Sequence, residues 1–254
     1  MHNLLIRKLE QTGVLKDSDI EALRCIKFKE RIVTAGSNIY HGEFAENLHL
    51  IVEGMACRYK IWADGDRRIL SLIVPGDLCD GHAPLPFMFQ TEVAALTTCK
   101  VADIPRQTMA DLIDLYPRIA RALWWITLVK LSTTQVWLAN MGRVADKRVA
   151  HFFCELLVRL QAVGLADDGS YDFNLTQLEL GEIFGLSNVH VNRVLKSLKE
   201  LGLMTVANRR VTIPDVRRLK KFADFDPDYL HDAADLGANK RALALSEQIA
   251  KQRA

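Results

Sequence analysis

The stretch Asn174–Lys199, NLTQLELGEIFGLSNVHVNRVLKSLK, decides the fold of the C-terminal part of this chain. Thr176 with Glu179 three residues later is a capping-box pair, in which each side chain satisfies the other residue's free backbone N–H, so a helix is predicted from Gln177. Gly185 ends that helix, and Ser187 caps the next by accepting a backbone N–H bond. Two helices joined by a short turn containing glycine give the helix-turn-helix signature. Leu180, Ile183, Leu186, Val191, Val194, Leu195 and Leu198 recur at helical spacing and supply the faces that lock the pair together. With those residues inward, the second helix turns Asn188, Val189, Asn192, Arg193 and Lys196 outward. Arginine can donate two hydrogen bonds to guanine, asparagine can pair with adenine, and valine can meet a thymine methyl. Thr176, Gln177 and the helix N-terminus at Ser187–His190 offer hydroxyl and N–H donors to phosphate.

An ordinary αα-hairpin shares this turn, and charge decides between the two. The whole chain of 254 residues carries a net charge of only +2, which by itself gives no reason to expect a polyanionic partner. Residues 174–221, however, hold nine cations and four anions, a net of +5, which leaves −3 for the remainder. Directly after the second helix, Met204–Ile213 reads as two short strands around Arg209 and Arg210, a basic hairpin wing. The implied partner is double-stranded DNA.

Working outward, Lys147 to about Val163 is an amphipathic helix, and Gly142–Asp146 breaks the chain before it. From Arg118 to Met141 the sequence is a long apolar helix with only Arg118, Arg121 and Lys130 charged. Ile119, Leu123, Ile126, Val129, Thr133, Val136 and Trp137 recur at three- and four-residue steps as one face of this dimerisation helix; Trp124, Trp125 and Leu128 are also apolar, so burial on two sides is expected, as a core helix under the barrel and, on the second face, as a dimer seam. Between Ile32 and Ile104, short β-prone runs are punctuated by Gly, Asp and Pro, as in a β-sandwich or barrel. Asp64-Gly65, between Arg58–Trp62 and Arg67–Val74, marks a hairpin, because glycine accepts the positive φ of a tight turn. The expected architecture is α+β in two domains: a β-barrel sensor over 1–117, a dimerisation helix over 118–141, a winged helix-turn-helix over 147–225 and a peripheral tail over 226–254.

Five scattered cysteines with no Cys-x-x-Cys suit a reducing cytosol. Charge follows only three apolar residues at the N-terminus, and the apolar run Ala122–Val129 is far short of the roughly 20 residues that span a bilayer. A cytoplasmic protein with no membrane partner is expected. A small-molecule or enzymatic barrel with a partner-binding helical domain is the alternative class. The sequence offers it no nucleophile motif and no phosphate-binding Gly-rich loop, and His41-Gly-Glu43 lacks the Cys-x-x-Cys of a zinc deaminase. The chain is not expected to be an enzyme.

In these features, over about 30–225, the sequence resembles the cyclic-AMP-receptor and fumarate-nitrate-regulator (Crp/Fnr) family of bacterial transcription factors. The resemblance rests on Gly42-Glu43-x-Ala45-x-x-Leu48, Gly54, Asp64-Gly65-x-Arg67, the Gly76-Asp77 turn, the long helix and Leu186–Leu195. It implies a cyclic-nucleotide-binding-type jelly-roll barrel, a homodimer on a two-fold-related operator, and RNA polymerase as a partner. It also implies that Arg193 takes the base-reading arginine position. Members commonly carry glutamate where this chain has Val189, and some carry arginine where it has Asn188, so a different half-site is expected.

The effector side departs further from the family. Cyclic-AMP-binding members use a Gly-Glu pair and an arginine just after the position of Gly76-Asp77, whereas here His82 follows Gly81 and residues 69–99 contain no Lys or Arg. A phosphate there would lack its bidentate cation. A four-cysteine iron–sulfur cluster is not expected either, since the N-terminal region offers only Cys25. Cys79, Asp80 and His82 remain as effector-loop candidates for metal, haem or redox sensing, ahead of His41, His49 and Cys57. No metal site is assigned, and the cofactor stays unknown.

Overall fold

A computed structural model of the chain describes residues 3–40, 46–79 and 91–230. Two short helices, α1 (Asn3–Glu10) and α2 (Asp17–Arg24), precede seven strands: β1 (Lys29–Val33), β2 (Asn38–Tyr40), β3 (Asn47–Glu53), β4 (Ala56–Ile61), β5 (Arg67–Ile73), β6 (Glu92–Ala95) and β7 (Cys99–Pro105). Helices α3 (Arg106–Leu115), α4 (Pro117–Asn140) and α5 (Ala145–Gln161) follow. The chain then runs through β8 (Ser170–Asp172), α6 (Gln177–Phe184), α7 (Asn188–Glu200), β9 (Thr205–Ala207), β10 (Arg210–Thr212) and α8 (Val216–Ala223) to a single 3-10 turn at Pro227–Leu230. The α+β two-domain architecture is thus as expected. Sequence periodicity did not reveal α1, α2 and α3, which at eight to ten residues are too short to show three full turns of pattern.

Antiparallel pairing orders the barrel strands as β1-β7-β3 in one sheet and β2-β6-β4-β5 in the other. Because side chains alternate across a strand, each sheet serves two cores. Ile51, Ala56, Ile73, Val93, Ala95, Cys99 and Val101 point between the sheets and fill the barrel. Leu48, Leu50, Val52, Ala102 and Ile104 face the other way and pack with α1, α2 and the first half of α4. Cys57, Tyr59, Ile69, Leu72, Val74 and Ala94, on the outer face of the four-stranded sheet, join one continuous core with α5, α6, α7 and α8. The winged domain therefore docks directly on the barrel, and both outer faces are covered.

Helix α4 uses the Ile119–Trp137 face within its own chain. Ile119 and Leu123 are buried in their own chain's core with α1 and α2, and Ile126 packs against the same cluster. Trp137 packs on Phe152 with ring centroids 5.9 Å apart, and its indole N–H donates to Glu155 at 2.8 Å. Val129 and Thr133 are half-buried along a partly open cavity against β5 and α5, and Val136 is half-buried. That face is thus the inward one. The apolar residues that face solvent are Trp124, Leu128, Leu131 and Leu138, exposed by 68%, 45%, 54% and 70%.

Residues 226–230, assigned to a peripheral tail, pack inward instead. The Tyr229 hydroxyl donates to Glu155 at 2.8 Å, and its ring lies 6.0 Å from that of His151. Residues 231–254 of the predicted tail lie outside the described residues.

Candidate nucleic-acid interface

Each part of the helix-turn-helix follows from its local sequence. The Thr176 hydroxyl accepts from the Glu179 N–H at 3.2 Å, while the Glu179 carboxylate accepts from the Thr176 N–H at 2.6 Å and from its hydroxyl at 2.8 Å. Gly185 closes α6 in the left-handed region, with φ +63°. Gly181 is needed for contact, since a Cβ there would meet the Leu186 carbonyl oxygen at 2.6 Å. The Ser187 hydroxyl accepts from the His190 N–H at 3.3 Å and starts α7. Val191, Val194 and Leu198 are buried, and Leu195 packs against the same core. Ser197 donates to Asp146 at 2.7 Å, tying α7 to α5.

With that face inward, α7 presents Asn188, Val189, Asn192, Arg193 and Lys196 to solvent, and Val189 is 69% exposed. Among the described residues, Arg193, Lys199, Arg209, Arg217 and Lys221 take part in no intrachain ion pair, whereas Lys196 has an exposed one with Glu200 at 3.7 Å. Asn192 donates to the Gln177 side chain at 2.6 Å, so two of the predicted contact residues are bonded to each other.

The wing separates its two arginines. Asn208 and Arg209 form the two-residue loop between β9 and β10, both with positive φ (51° and 59°), as a type I′ hairpin turn requires. That loop places Arg209 at the wing tip. Arg210 is committed elsewhere: its guanidinium holds Asp172 at 3.0 Å, Asp167 at 2.7 Å and the Ser170 hydroxyl at 2.6 Å. As a free phosphate-binding cation it is corrected. It fastens the wing to β8, and its charge is answered within the chain.

Matches to known proteins agree with this geometry. Residues 30–116 match the Cyclic nucleotide-binding domain family, and residues 147–222 match the Crp-like helix-turn-helix domain family. The nitrogen fixation regulation protein FixK of Azorhizobium caulinodans is 26% identical over 181 residues, covering 70% of this chain and 72% of that protein. The chain belongs to the Crp/Fnr family of transcription regulators. Another relative, the transcriptional activator protein FnrL of Cereibacter sphaeroides, is 23% identical over 215 residues, covering 83% of this chain and 86% of its own length. Among solved structures, FixK2 from Bradyrhizobium japonicum has 25% sequence identity and a TM-score of 0.67, over 78% of this chain and 98% of that one. This Crp/Fnr regulator is therefore a DNA-binding protein and not an enzyme.

The barrel half of the regulator carries a second feature. A cavity of about 470 Å³ lies among α1, β5, α4 and α5, with Trp125, Val129, Leu72 and Val158 on its apolar walls. Its polar end is a buried ion cluster. Asp77 pairs with Lys8 from α1 and with Arg159 from α5 at 2.9 Å, and accepts from the Val74 N–H at 3.0 Å. Arg159 also reaches Glu155 at 3.3 Å and the Leu72 carbonyl at 2.8 Å. Burial works against the Asp77 charge, but Lys8, Arg159 and Lys130 together hold its carboxyl far below the usual carboxylate range. Burial lowers Lys130 to about 8, and its ammonium donates to the Leu78 carbonyl at 2.6 Å.

Of the effector-loop candidates, Cys79 is buried beside this cavity, while Asp80 and His82 lie outside the described residues, as do His41 and Gly42-Glu43. Arg58 supplies what residues 69–99 lack. From β4 it donates to the Cys79 carbonyl at 2.6 Å and to the Thr91 hydroxyl at 2.9 Å, placing a cation between those two residues from outside that stretch. No group of three or more His, Cys, Asp or Glu able to hold a metal occurs among the described residues. No helix among them is long and apolar enough to cross a membrane.

Proposed function

We propose that this regulator works as a cytoplasmic homodimer, two copies joined along α4 and reading a two-fold-related operator in promoter DNA, with RNA polymerase receiving the output. The observation that carries the DNA-reading part is the solvent face of α7, where Asn188, Val189, Asn192 and Arg193 stand beside cations unpaired within the chain. Arg193 and Asn192 carry base choice, Val189 meets a thymine methyl or is neutral, and Lys196, Lys199 and Arg209 serve phosphates. The seam consists of Trp124, Leu128, Leu131 and Leu138, whose spacings of four, three and seven residues follow a coiled-coil heptad. Two α7 helices would then enter successive major grooves about 34 Å apart.

The effector is unassigned. The 470 Å³ cavity and Cys79 beside it are where a signal is expected to act, because groups from α1, the barrel, α4 and α5 meet there.

The test is a fluorescence-anisotropy titration with the DNA upstream of the regulator's own gene and with a scrambled duplex. A preference for one duplex, weakening steeply as salt rises, is expected from phosphate contacts. Equal binding of both overturns the operator reading. Light scattering on the same sample should return twice the chain mass, and mass spectrometry of co-purifying small molecules addresses the effector.

A further inference from the structure

The pair Gln177 and Asn192 combines two exposed amides with rigid supports. Gln177 is the first residue of α6, fixed by the Thr176–Glu179 capping box, and Asn192 follows buried Val191 on α7. The helix positions are therefore set by the core, and only the two side chains are free to turn. Asn192 Nδ2 donates to Gln177 Oε1 at 2.6 Å across the two helices. An unrestrained surface amide populates several rotamers and must be ordered when it binds. This bond leaves Asn192 with one N–H and its carbonyl oxygen unused, the donor and acceptor that match adenine N7 and N6 in the major groove.

We propose that Gln177 is a positioning residue for base readout, holding Asn192 in the orientation that reads the adenine of an A·T pair. The inference rests on the DNA-reading function proposed above and names one base pair of its half-site. Gln177 then matters to sequence preference and not only to phosphate affinity.

A randomised-site selection with the full-length protein gives the half-site. Anisotropy titrations then compare the selected duplex with one carrying G·C at the adenine position. Asn192→Ala should lose the preference at that one base pair. Gln177→Leu, which cannot accept the bond, should lose about three- to tenfold of the same preference, the value of ordering one side chain in advance. The double variant should discriminate no less than Asn192→Ala alone. Gln177→Glu keeps the acceptor oxygen and should restore the preference at lower overall affinity. Both side chains are exposed, so thermal midpoints should stay near wild type.

Uniform weakening of Gln177→Leu on both duplexes, the mark of a phosphate contact, overturns the proposal. So does an unchanged preference in Asn192→Ala, in which case the DNA-reading function stands without it. A wild type that enriches no site refutes the DNA-reading function itself and the inference with it.

Discussion

At the scale of the residue, neighbouring arginines differ in what they have left to offer DNA. Arg193 is exposed and takes part in no intrachain ion pair, so Arg193→Ala should cost specific binding roughly 1–3 kcal/mol, the value of a bidentate base contact. Anisotropy titration on the selected operator measures it. Arg209 and Arg210 are adjacent in sequence, and nothing in their order separates them. The structure does, because the strand register sends Arg210 to Asp167 and Asp172 while the turn leaves Arg209 at the tip. Arg209→Ala should therefore lower the slope of log affinity against log salt by about one, and Arg210→Ala should leave that slope nearly unchanged. Equal slopes for the two variants would contradict the distinction.

Residue environment also predicts a response to acid. His151 is buried against Phe225 and Tyr229, and desolvation with the nearby Arg143 charge lowers it from 6.5 to about 4. Between those values the unfolded chain binds a proton that the folded chain refuses, so stability falls as pH drops from about 6.5 toward 4. Denaturant titrations at pH 7 and pH 5 should show this loss, and His151→Phe should reduce it. An identical pH dependence in the variant would remove His151 from the account.

Among the elements, α4 shows how far periodicity reaches. Apolar residues occupy nearly every face of this helix, so its length and burial were legible while its phase was not. The core contacts of Ile119 and Leu123 with α1 and α2, elements the sequence pattern did not disclose, take up one face and leave Trp124, Leu128, Leu131 and Leu138 exposed for the proposed seam. Leu128→Glu places a charge in the proposed seam and should convert the proposed dimer to monomer in light scattering. Leu123→Glu should instead unfold the chain, because it buries a charge with no partner. The helix-turn-helix lies at the other extreme. Its cap, turn and faces are local, so all three were legible from Thr176, Gly185 and the spacing of Val191, Val194 and Leu198.

For the molecule as a whole, Asp77 is the point where four parts are tied together. It holds Lys8 of α1 and Arg159 of α5, ends the barrel hairpin through the Val74 N–H, and faces Lys130 of α4. Asp77→Ala leaves those cations buried without their counterion and should destabilise the fold by about 3–5 kcal/mol, read from denaturant midpoints. Because the folded carboxyl is held below its ordinary range, this contribution is present at neutral pH and is lost as pH falls below the ordinary range. A second tie joins the β4–β5 hairpin of the barrel to the helix-turn-helix: Arg67 lies over the Tyr59 ring and pairs with Glu182 of α6 at 3.1 Å.

Local order in the sequence determined the winged helix-turn-helix, the strand-and-turn character of the barrel, the existence of the long helix and the concentration of positive charge in the reader. Those features depend on neighbours within a few residues: a cap three positions on, a glycine at a turn, a side-chain period of two or 3.6. Tertiary structure alone decided which face of α4 is free, which wing arginine is spent, that Gln177 meets Asn192, and that Lys8, Asp77, Lys130 and Arg159 converge. Each of these joins residues far apart in the chain, and such contacts depend on how the elements pack, which no local pattern encodes.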